Sequence, residues 1–406
     1  MLETIRELFK TKDLSSCFPS WLQDLLLGNG DPTAAHYTNI PNQTTMYNYG
    51  DTFLDAQHVI ESFPQYHVQF VNKQNEGITD PSMIVPPFKL SFPKTEDEST
   101  LWVTPYTLST TSLLTTAPTP SNTLRFTPKQ IEAIQSGLYK GLTMIEGPPG
   151  TGKTDVVVQL IKLLTHNYPN QRILILTHSN HALNDLFKKV SASTIDQRII
   201  LRLGGGENEL KTKEDYSKQG RINYMLTRRM ELLKEVELLA TSLELNPDFA
   251  FSCETAMNFY TYHIQSRMDQ YKEEYERRQQ QSSMEDDFVA QHFPFTSYCA
   301  QKKETLFVNN LHQDHQIAQQ LFKSIHDLFM ELKDYRILEL LRSNKQRYDY
   351  LMTNQAKVIA MTCTHACIIR KRLLELNFKY DTLIMEETGQ ILDIESFIPM
   401  LLQVYF

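Results

Sequence analysis

Short, continuous apolar runs separated by helical patterns mark two stretches of the chain. The runs lie at 142–145, 173–176, 199–203, 358–361 and 382–385. Strands of a parallel sheet are covered on both faces, so they consist of consecutive apolar residues rather than alternating ones. Between the first three runs, apolar residues recur with the period of a helix, at about 155–165 and 181–191. This order of strands and helices predicts an α/β fold built on a parallel sheet.

A different pattern precedes these runs. Residues 1–30 show helical spacing, whereas the segments 66–71, 88–92 and 101–106 alternate apolar and polar residues and have prolines between them. Alternation of this kind is typical of a strand with one buried face. We therefore expect a small antiparallel sheet or barrel between about 66 and 107, followed at 107–123 by a surface connection rich in Ser, Thr and Pro.

Residues 210–350 form a third region, in which long helical patterns carry many charged side chains. The clearest helices are predicted over 222–243 and 264–281. Because strand patterns of the parallel type return after this region, the simplest interpretation is one α/β domain interrupted by a helical insertion.

The composition narrows the class of protein. The chain has 406 residues, 41% hydrophobic and 22% charged, which is enough for two or three folded domains. A formal net charge of −8 excludes a globally basic nucleic-acid binder but leaves room for a local basic groove. No apolar run reaches the roughly 18 residues that span a bilayer, and the five cysteines are scattered. We expect a protein of a reducing compartment with no membrane contact.

A complete phosphate-binding motif follows the first apolar run. The pattern G-x-x-x-x-G-K-T is matched in full by Gly147-Pro148-Pro149-Gly150-Thr151-Gly152-Lys153-Thr154. The glycines let backbone N–H groups face the phosphates of a nucleotide, and the N-terminus of the next helix adds its positive dipole. We predict that Lys153 binds the β- and γ-phosphates and that the Thr154 hydroxyl holds Mg²⁺.

Two adjacent carboxylates end the last apolar run. Glu386 and Glu387 come directly after the predicted strand at 382–385. In a parallel sheet this carboxyl edge is where ligands bind, so both acids are expected near the phosphate loop. By position, Glu386 is the predicted metal acid and Glu387 the predicted catalytic base that orients the attacking water.

Three further polar segments flank these motifs. Gln130 precedes the loop, where its amide can read an adenine edge. Ser179 and Asn180 follow one predicted strand, and Thr362 and Thr364 follow another, offering hydroxyls and amides to a nucleic-acid backbone. Each segment alone is weak evidence, because polar residues after a strand often cap the next helix. Their order around the loop makes the set specific.

The set resembles the first RecA-like domain of superfamily 1 helicases, with Glu386-Glu387-Thr-Gly-Gln390 as its second motif. Within that superfamily the chain is similar to the aquarius-type intron-binding RNA helicases of the spliceosome. The similar segments are 29–32, 86–93, 147–155, 177–180, 201–204, 360–366, 378–381 and 397–403. The resemblance implies ATP and Mg²⁺ as cofactors, a pre-mRNA intron and spliceosomal proteins as partners, and a nuclear location.

The resemblance also implies a domain plan. Its parts are an N-terminal helical and irregular segment (1–50), a β-barrel and stalk region (51–120), a first RecA-like part (121–209), a helical insertion (210–350), a second RecA-like part (351–403) and an atypical tail (404–406). It further implies that Gln130 reads adenine, that Gly147–Thr154 binds the nucleotide, and that Ser179, Asn180, Thr362 and Thr364 contact RNA.

The chain ends soon after the acidic pair, without the second RecA-like domain that completes a helicase active site. We therefore expect a chain truncated at both ends relative to its family, which binds ATP weakly, hydrolyses it slowly and does not unwind duplexes alone. The alternative is a non-catalytic module that binds ATP and RNA within a ribonucleoprotein. Whether the chain itself is an enzyme stays open between these two hypotheses.

The spacing Cys363-x-His365-x-Cys367 allows two interpretations, a zinc site or residues near the RNA path. It is compatible with a zinc site, but it is tight and has no second pair nearby. We favour residues of a loop near the RNA path over metal ligands.

Overall fold

A computed structural model describes Arg6 and residues 46–400, apart from 73–75, 79, 81–83, 94–98, 107–121, 207–211, 213, 281–286, 301–306 and 309. Nearly all of the predicted segment 1–50, most of the Ser/Thr/Pro-rich connection and the tail 404–406 lie outside the described residues.

The chain divides into two compact units. The first comprises Met1–Leu108, Thr119–Lys218 and Asp349–Phe406, and the second comprises Ser109–Pro118 and Gln219–Tyr348. The six-part domain plan stays a prediction.

A four-stranded parallel sheet forms the centre of the first unit. Its strands are β5 (Ile173–Thr177), β6 (Ile200–Arg202), β7 (Val358–Thr362) and β8 (Thr382–Glu386). They lie in the order β6-β7-β5-β8, and every pair is parallel. All residues of β5 and β7 are buried, as continuous apolar runs require. The predicted α/β fold with a parallel sheet is therefore confirmed.

The register of this sheet aligns three strand ends. Thr177 of β5 lies opposite Thr362 of β7 on one side and opposite Glu386 of β8 on the other. The polar residues that follow these strands consequently start from one edge of the sheet, which is where ligands of parallel sheets bind.

The predicted strand at 142–145 is wrong. These residues form no strand, and the Met144 side chain is 88% exposed. Among the described strands, β8 lies at the edge of the sheet and pairs only with β5, so the run at 142–145 is not hydrogen-bonded to it. An extended segment with no paired neighbour has no ladder to hold it in a sheet.

A second sheet, of mixed type, lies nearer the N-terminus. It contains β1 (Met46–Asn48), β2 (His67–Phe70), β3 (Phe88–Ser91) and β4 (Thr100–Pro105) in the order β1-β3-β4-β2. The expected antiparallel arrangement is wrong for one pair, because β2 runs parallel to β4. The chain reverses once into β3 and again into β4, so β2 and β4 point the same way.

Helices cover the sheets of the first unit. They are α1 (Ala56–Ser62), α2 (Pro128–Leu138), α3 (Lys153–Asn167), α4 (Asn180–Ala192), α12 (Cys363–Glu375) and α13 (Asp393–Met400). Short 3-10 turns occupy Gln197–Ile199 and Thr388–Gln390, and a π-helical turn occupies Leu351–Gln355.

Every described regular element of the second unit is a helix or helical turn. Its elements are α5 (Lys218–Ser242, whose first residue belongs to the first unit), α6 (Cys253–Phe259), α7 (Ser266–Gln280), α8 (Phe288–His292), α9 (Thr296–Ala300), α10 (Leu311–Leu340) and α11 (Asn344–Tyr350, which ends in the first unit), with a 3-10 turn at Pro247–Ala250 and a π-helical turn at Tyr260–Gln265. Aromatic side chains fill its core; the rings of Phe293 and Phe322, for example, stack 5.1 Å apart. None of the described helices in either unit has the length and apolar character needed to cross a membrane.

A partly buried polar contact ties the segment that follows β1 to α3. The Lys162 ammonium donates to Asp51 at 2.5 Å, and the Gln159 amide donates to Asp51 and to Thr52. Burial works against ionisation of Asp51, but the hydrogen bond and charge of Lys162, with the hydrogen bonds from Gln159 and Asn122, together outweigh it and lower the pKa of this carboxyl. The helix that begins at the phosphate motif is thus tied to the segment that follows β1 by charged and polar groups.

Candidate functional site

The phosphate motif forms a tight loop that leads into α3. Gly150 and Gly152 have φ values of +84° and +75°, in the left-handed region that glycine adopts without strain. Gly152 is the N-cap of α3, and no side chain caps the helix there. The first backbone N–H groups of α3 therefore remain available to an anion, and the helix dipole favours negative charge at the same place.

Lys153 lies across the loop. Its ammonium donates to the carbonyl oxygens of Gly147 at 2.5 Å and Pro148 at 3.0 Å. The Thr151 hydroxyl donates to Pro148 as well, at 2.8 Å. A triphosphate bound in the loop would compete with these carbonyls for the ammonium, and a charged acceptor makes the stronger bond.

The predicted metal residues meet in space although they lie far apart in the chain. The Thr154 hydroxyl donates to Glu386 Oε1 at 2.7 Å. Burial raises the pKa of the Glu386 carboxyl, as does the charge of Glu387, and these effects outweigh the opposing ones of Thr154, Lys189 and Lys153. A hydroxyl and a carboxylate are the hard oxygen donors that Mg²⁺ takes, so the pair fits this ion.

Glu387 has an unusual backbone conformation. Its φ of 57° lies in the left-handed region, which residues with a side chain seldom adopt. Its carbonyl accepts a hydrogen bond from the N–H of Gln390 at 3.0 Å, closing the turn after β8. Both side chains are exposed, and the carboxylate of Glu387 makes no hydrogen bond or ion pair within the described part of the chain. Such strain often marks a functional turn.

Gln130 is tied to the loop rather than free. Its amide oxygen accepts from the backbone N–H of Thr127 at 2.7 Å, which closes the capping box of α2. Its amide nitrogen donates to the carbonyl of Thr151 at 3.0 Å. One N–H and one lone pair of the side chain therefore remain for an adenine ring.

The turn after β5 begins α4. Ser179 is the N-cap of this helix, and its hydroxyl oxygen accepts from the N–H of Ala182 at 3.2 Å. Asn180 is exposed, but its amide oxygen accepts from Arg202 Nη2 at 2.9 Å. Both residues can still offer a hydrogen-bond donor to a phosphate, the hydroxyl of one and the amide of the other.

The turn after β7 separates the two threonines. Thr362 is only 9% exposed, and its hydroxyl caps α12 by accepting from the N–H of His365. The predicted contact between Thr362 and RNA does not fit this burial. Thr364 is exposed, but its hydroxyl donates to Glu395 of α13 at 3.2 Å. RNA binding at Thr364 would have to compete with a carboxylate.

Comparison with known protein families decides the classification. Residues 125–404 match the family described as AAA domain, which is more than half of the chain. The chain belongs to the AAA domain family. Residues 42–125, ahead of this AAA domain, match a second family, described as the intron-binding protein aquarius insert domain. The resemblance predicted from the motifs is confirmed.

Two relatives match nearly the whole chain. RNA helicase aquarius of Mus musculus is 43% identical over an alignment that covers 99% of this chain and 28% of the mouse protein. Pre-mRNA-splicing factor cwf11 of Schizosaccharomyces pombe is 26% identical over 92% of this chain and 27% of its own length. The chain therefore spans less than a third of each of these relatives.

Three side chains of the AAA domain escaped prediction from single motifs. Arg202 is fully buried and donates to Asn180 and Asn184, as well as to two carbonyls. Lys189 forms an ion pair with Asp155 next to the phosphate loop, and Glu395 accepts a hydrogen bond from the Thr364 hydroxyl. Of the three, only Arg202 could have been predicted from the sequence. It lies inside an apolar run, and a buried arginine must find hydrogen-bond acceptors.

The Cys363-x-His365-x-Cys367 segment of the AAA domain starts α12. Burial raises the pKa of the Cys363 thiol to about 12 and also raises that of Cys367, which disfavours the thiolate that zinc requires. Among the described residues, no group of three or more His, Cys, Asp and Glu side chains is arranged to hold a metal ion. His365 instead packs against Gly204.

Proposed function

We propose that this chain is the nucleotide-binding part of an ATP-dependent RNA helicase that works on introns in pre-mRNA splicing in the nucleus. The hydrogen bond between Thr154 and Glu386 carries the proposal, because it brings the loop and the acidic strand end together as ATP·Mg²⁺ requires. The names of the two long-matching relatives, an RNA helicase and a splicing factor, support RNA as the substrate and spliceosomal proteins as partners.

In this proposal the chain's own residues share the work on ATP. The N–H groups at the start of α3 and the Lys153 ammonium bind the β- and γ-phosphates, and Gln130 contacts adenine. Thr154 and Glu386 hold Mg²⁺, which supplies positive charge to the transferring phosphate when bound. Glu387 accepts a proton from the attacking water, and its exposed position leaves room for that water.

RNA lies along the carboxyl edge of the sheet in the same proposal. Ser179, Asn180 and Thr364 donate to phosphate or sugar oxygens rather than to base edges. Binding should therefore depend little on sequence and should weaken as the salt concentration rises.

The direct test is a titration of the 406-residue chain with a fluorescent ATP analogue in the presence of Mg²⁺. Lys153→Ala should weaken binding at least tenfold, since it removes a charged partner worth about 1.5–3 kcal/mol. Lys272→Ala is the matched control, because Lys272 is an exposed lysine of α7 that pairs only weakly with Asp269 on its own helix. Equal affinity of wild type and Lys153→Ala would refute the proposed nucleotide site.

The second candidate is a scaffold module that binds ATP and RNA without turnover. It is favoured by the state of Lys153, whose ammonium is bound to two carbonyls of its own loop, and by the absence of a partner that orients Glu387 within the described residues. Steady-state phosphate release discriminates the two functions. Slow, RNA-stimulated release by the 406-residue chain that is lost in both Lys153→Ala and Glu387→Gln supports the helicase, whereas equal background release in all three supports the scaffold.

A further inference from the structure

Two consecutive lysines near the end of α4 have different partners. Lys188 pairs with Asp185, three residues earlier on the same helix, at 2.9 Å. Lys189 reaches out of the helix and pairs with Asp155 of α3 at 2.6 Å. Adjacent residues of a helix point in directions about 100° apart, so only one of the two faces the neighbouring helix.

The partner of Lys189 lies at the phosphate loop. Asp155 directly follows Thr154, in the first turn of the helix that starts at the loop. Lys189 thus contacts the segment that positions Thr154.

The other end of α4 lies at the proposed RNA edge. The helix starts at Ser179 and Asn180, and Arg202 holds its first two turns through Asn180 and Asn184. Four apolar residues of the helix, Leu183, Leu186, Phe187 and Val190, are buried against the core. A helix of this length, about 20 Å, that is packed along one face moves as one body.

We propose that Lys189 is a positioning residue that couples the two ligand sites: through Asp155 it joins the RNA-contacting helix α4 to the first turn of the phosphate-loop helix α3. A shift of α4 on RNA binding then moves Asp155 and, with it, Thr154. This inference rests on the proposed function, and it assigns to one ion pair the communication between RNA and nucleotide.

The size of the effect follows from exposure. The side chain of Lys189 is 48% exposed and that of Asp155 is 33% exposed, so solvent screens the pair. Loss of such a pair changes an equilibrium by about two- to five-fold, which leaves the fold intact. The change should therefore appear in the coupling between ligands, and not as a collapse of either binding activity.

The experiment measures the dissociation constant of an ATP analogue with Mg²⁺, with and without saturating oligouridine RNA, on the 406-residue chain. The ratio of the two constants is the coupling factor, and linkage requires the same factor when RNA affinity is measured with and without nucleotide. We expect Lys189→Ala and Asp155→Asn to lower this factor by about two- to five-fold towards one. Lys189→Arg should keep it, and Lys188→Ala is the matched control that should leave it unchanged.

The outcomes separate this inference from the proposed function. If wild type binds neither nucleotide nor RNA, the proposed function fails. If it binds both, but its coupling factor is one or is unchanged in Lys189→Ala, only the role of Lys189 is refuted. An equal loss of coupling in Lys188→Ala would also refute it, because general loss of positive charge on α4 would then explain the result.

Discussion

Replacing Arg202 by lysine tests the proposed support of the RNA edge. The guanidinium makes four hydrogen bonds in a buried site: Nε to Asn184 at 3.1 Å, Nη2 to Asn180 at 2.9 Å, and Nη1 to the carbonyls of Leu203 at 2.8 Å and Gly204 at 3.1 Å. A lysine keeps the charge. Its single ammonium cannot reach all four acceptors, which the planar guanidinium contacts through three nitrogens that point in different directions.

The magnitude follows from the number of lost bonds. If the ammonium keeps two of the four acceptors, two acceptors lose their donor; such a loss costs about 1–3 kcal/mol where the acceptor is buried and less at the exposed Asn180. We therefore expect Arg202→Lys to lower the free energy of unfolding by about 1–4 kcal/mol. RNA affinity should fall more than nucleotide affinity, because Asn180 is released while Lys153 and Thr154 are untouched.

Urea unfolding followed by circular dichroism measures the first effect, and titration with labelled RNA and with an ATP analogue measures the second. Arg198→Lys is a suitable control, since Arg198 pairs with Asp196 on the surface and a pair of this kind contributes about 0–1 kcal/mol. If Arg202→Lys unfolds at the same urea concentration as wild type and binds RNA equally well, the supporting role of Arg202 is refuted.

Three further substitutions have defined outcomes. Asp51→Asn should lower the free energy of unfolding by about 1–3 kcal/mol at neutral pH, because the ion pair with Lys162 is lost. The difference from wild type should shrink as the pH falls below about 4. A carboxyl whose pKa is lowered by folding stabilises the protein only above that range. Gly137→Ala should cost about 1 kcal/mol, since a Cβ there would lie 2.6 Å from a methyl carbon of the buried Leu160 and the higher helix propensity of alanine offsets only part of the strain. Gln130→Ala should weaken ATP-analogue binding by about 1–2 kcal/mol through loss of its bond to the loop.

Two control variants test whether the stated causes are specific. Asp269→Asn removes an exposed carboxylate of the second unit and should change neither stability nor its pH dependence. Gly205→Ala meets no atom within 4 Å and should be neutral. An Asp51→Asn curve that stays parallel to wild type down to pH 2, or a Gly137→Ala protein as stable as Gly205→Ala, would contradict the stated causes.

The four strands of the parallel sheet were predictable from the sequence, but a fifth predicted strand, at 142–145, does not form. The runs at 173–176, 199–203, 358–361 and 382–385 form β5 to β8, and the backbone of each pairs with at least one neighbouring strand. The run at 142–145 has the same apolar character, but strand formation also requires a paired backbone, and a sequence pattern does not reveal which neighbours are present.

The parts of the site that belong to a motif of fixed spacing were predictable from the sequence. The parts that depend on which side chains hydrogen-bond to each other were not. The phosphate motif and the acidic pair were found in the sequence, and the structure joins them through Thr154 and Glu386. The competition of Glu395 for Thr364, and the burial of Thr362, depend on how α12 packs against α13 and β7. Thr362 and Thr364 are only two residues apart, but they differ in exposure because of tertiary packing, which the sequence pattern does not show.

The proposed function depends on a nucleotide that binds with its metal between Thr154 and Glu386. A crystal structure of this chain with Mg²⁺ and a non-hydrolysable ATP analogue would test this binding mode. We expect the triphosphate along 147–153, with Lys153 turned from the loop carbonyls to the phosphates and the metal in contact with the Thr154 hydroxyl. A nucleotide bound elsewhere, or a loop in which Thr154 keeps its hydrogen bond to Glu386 with no metal beside it, would refute the proposed site.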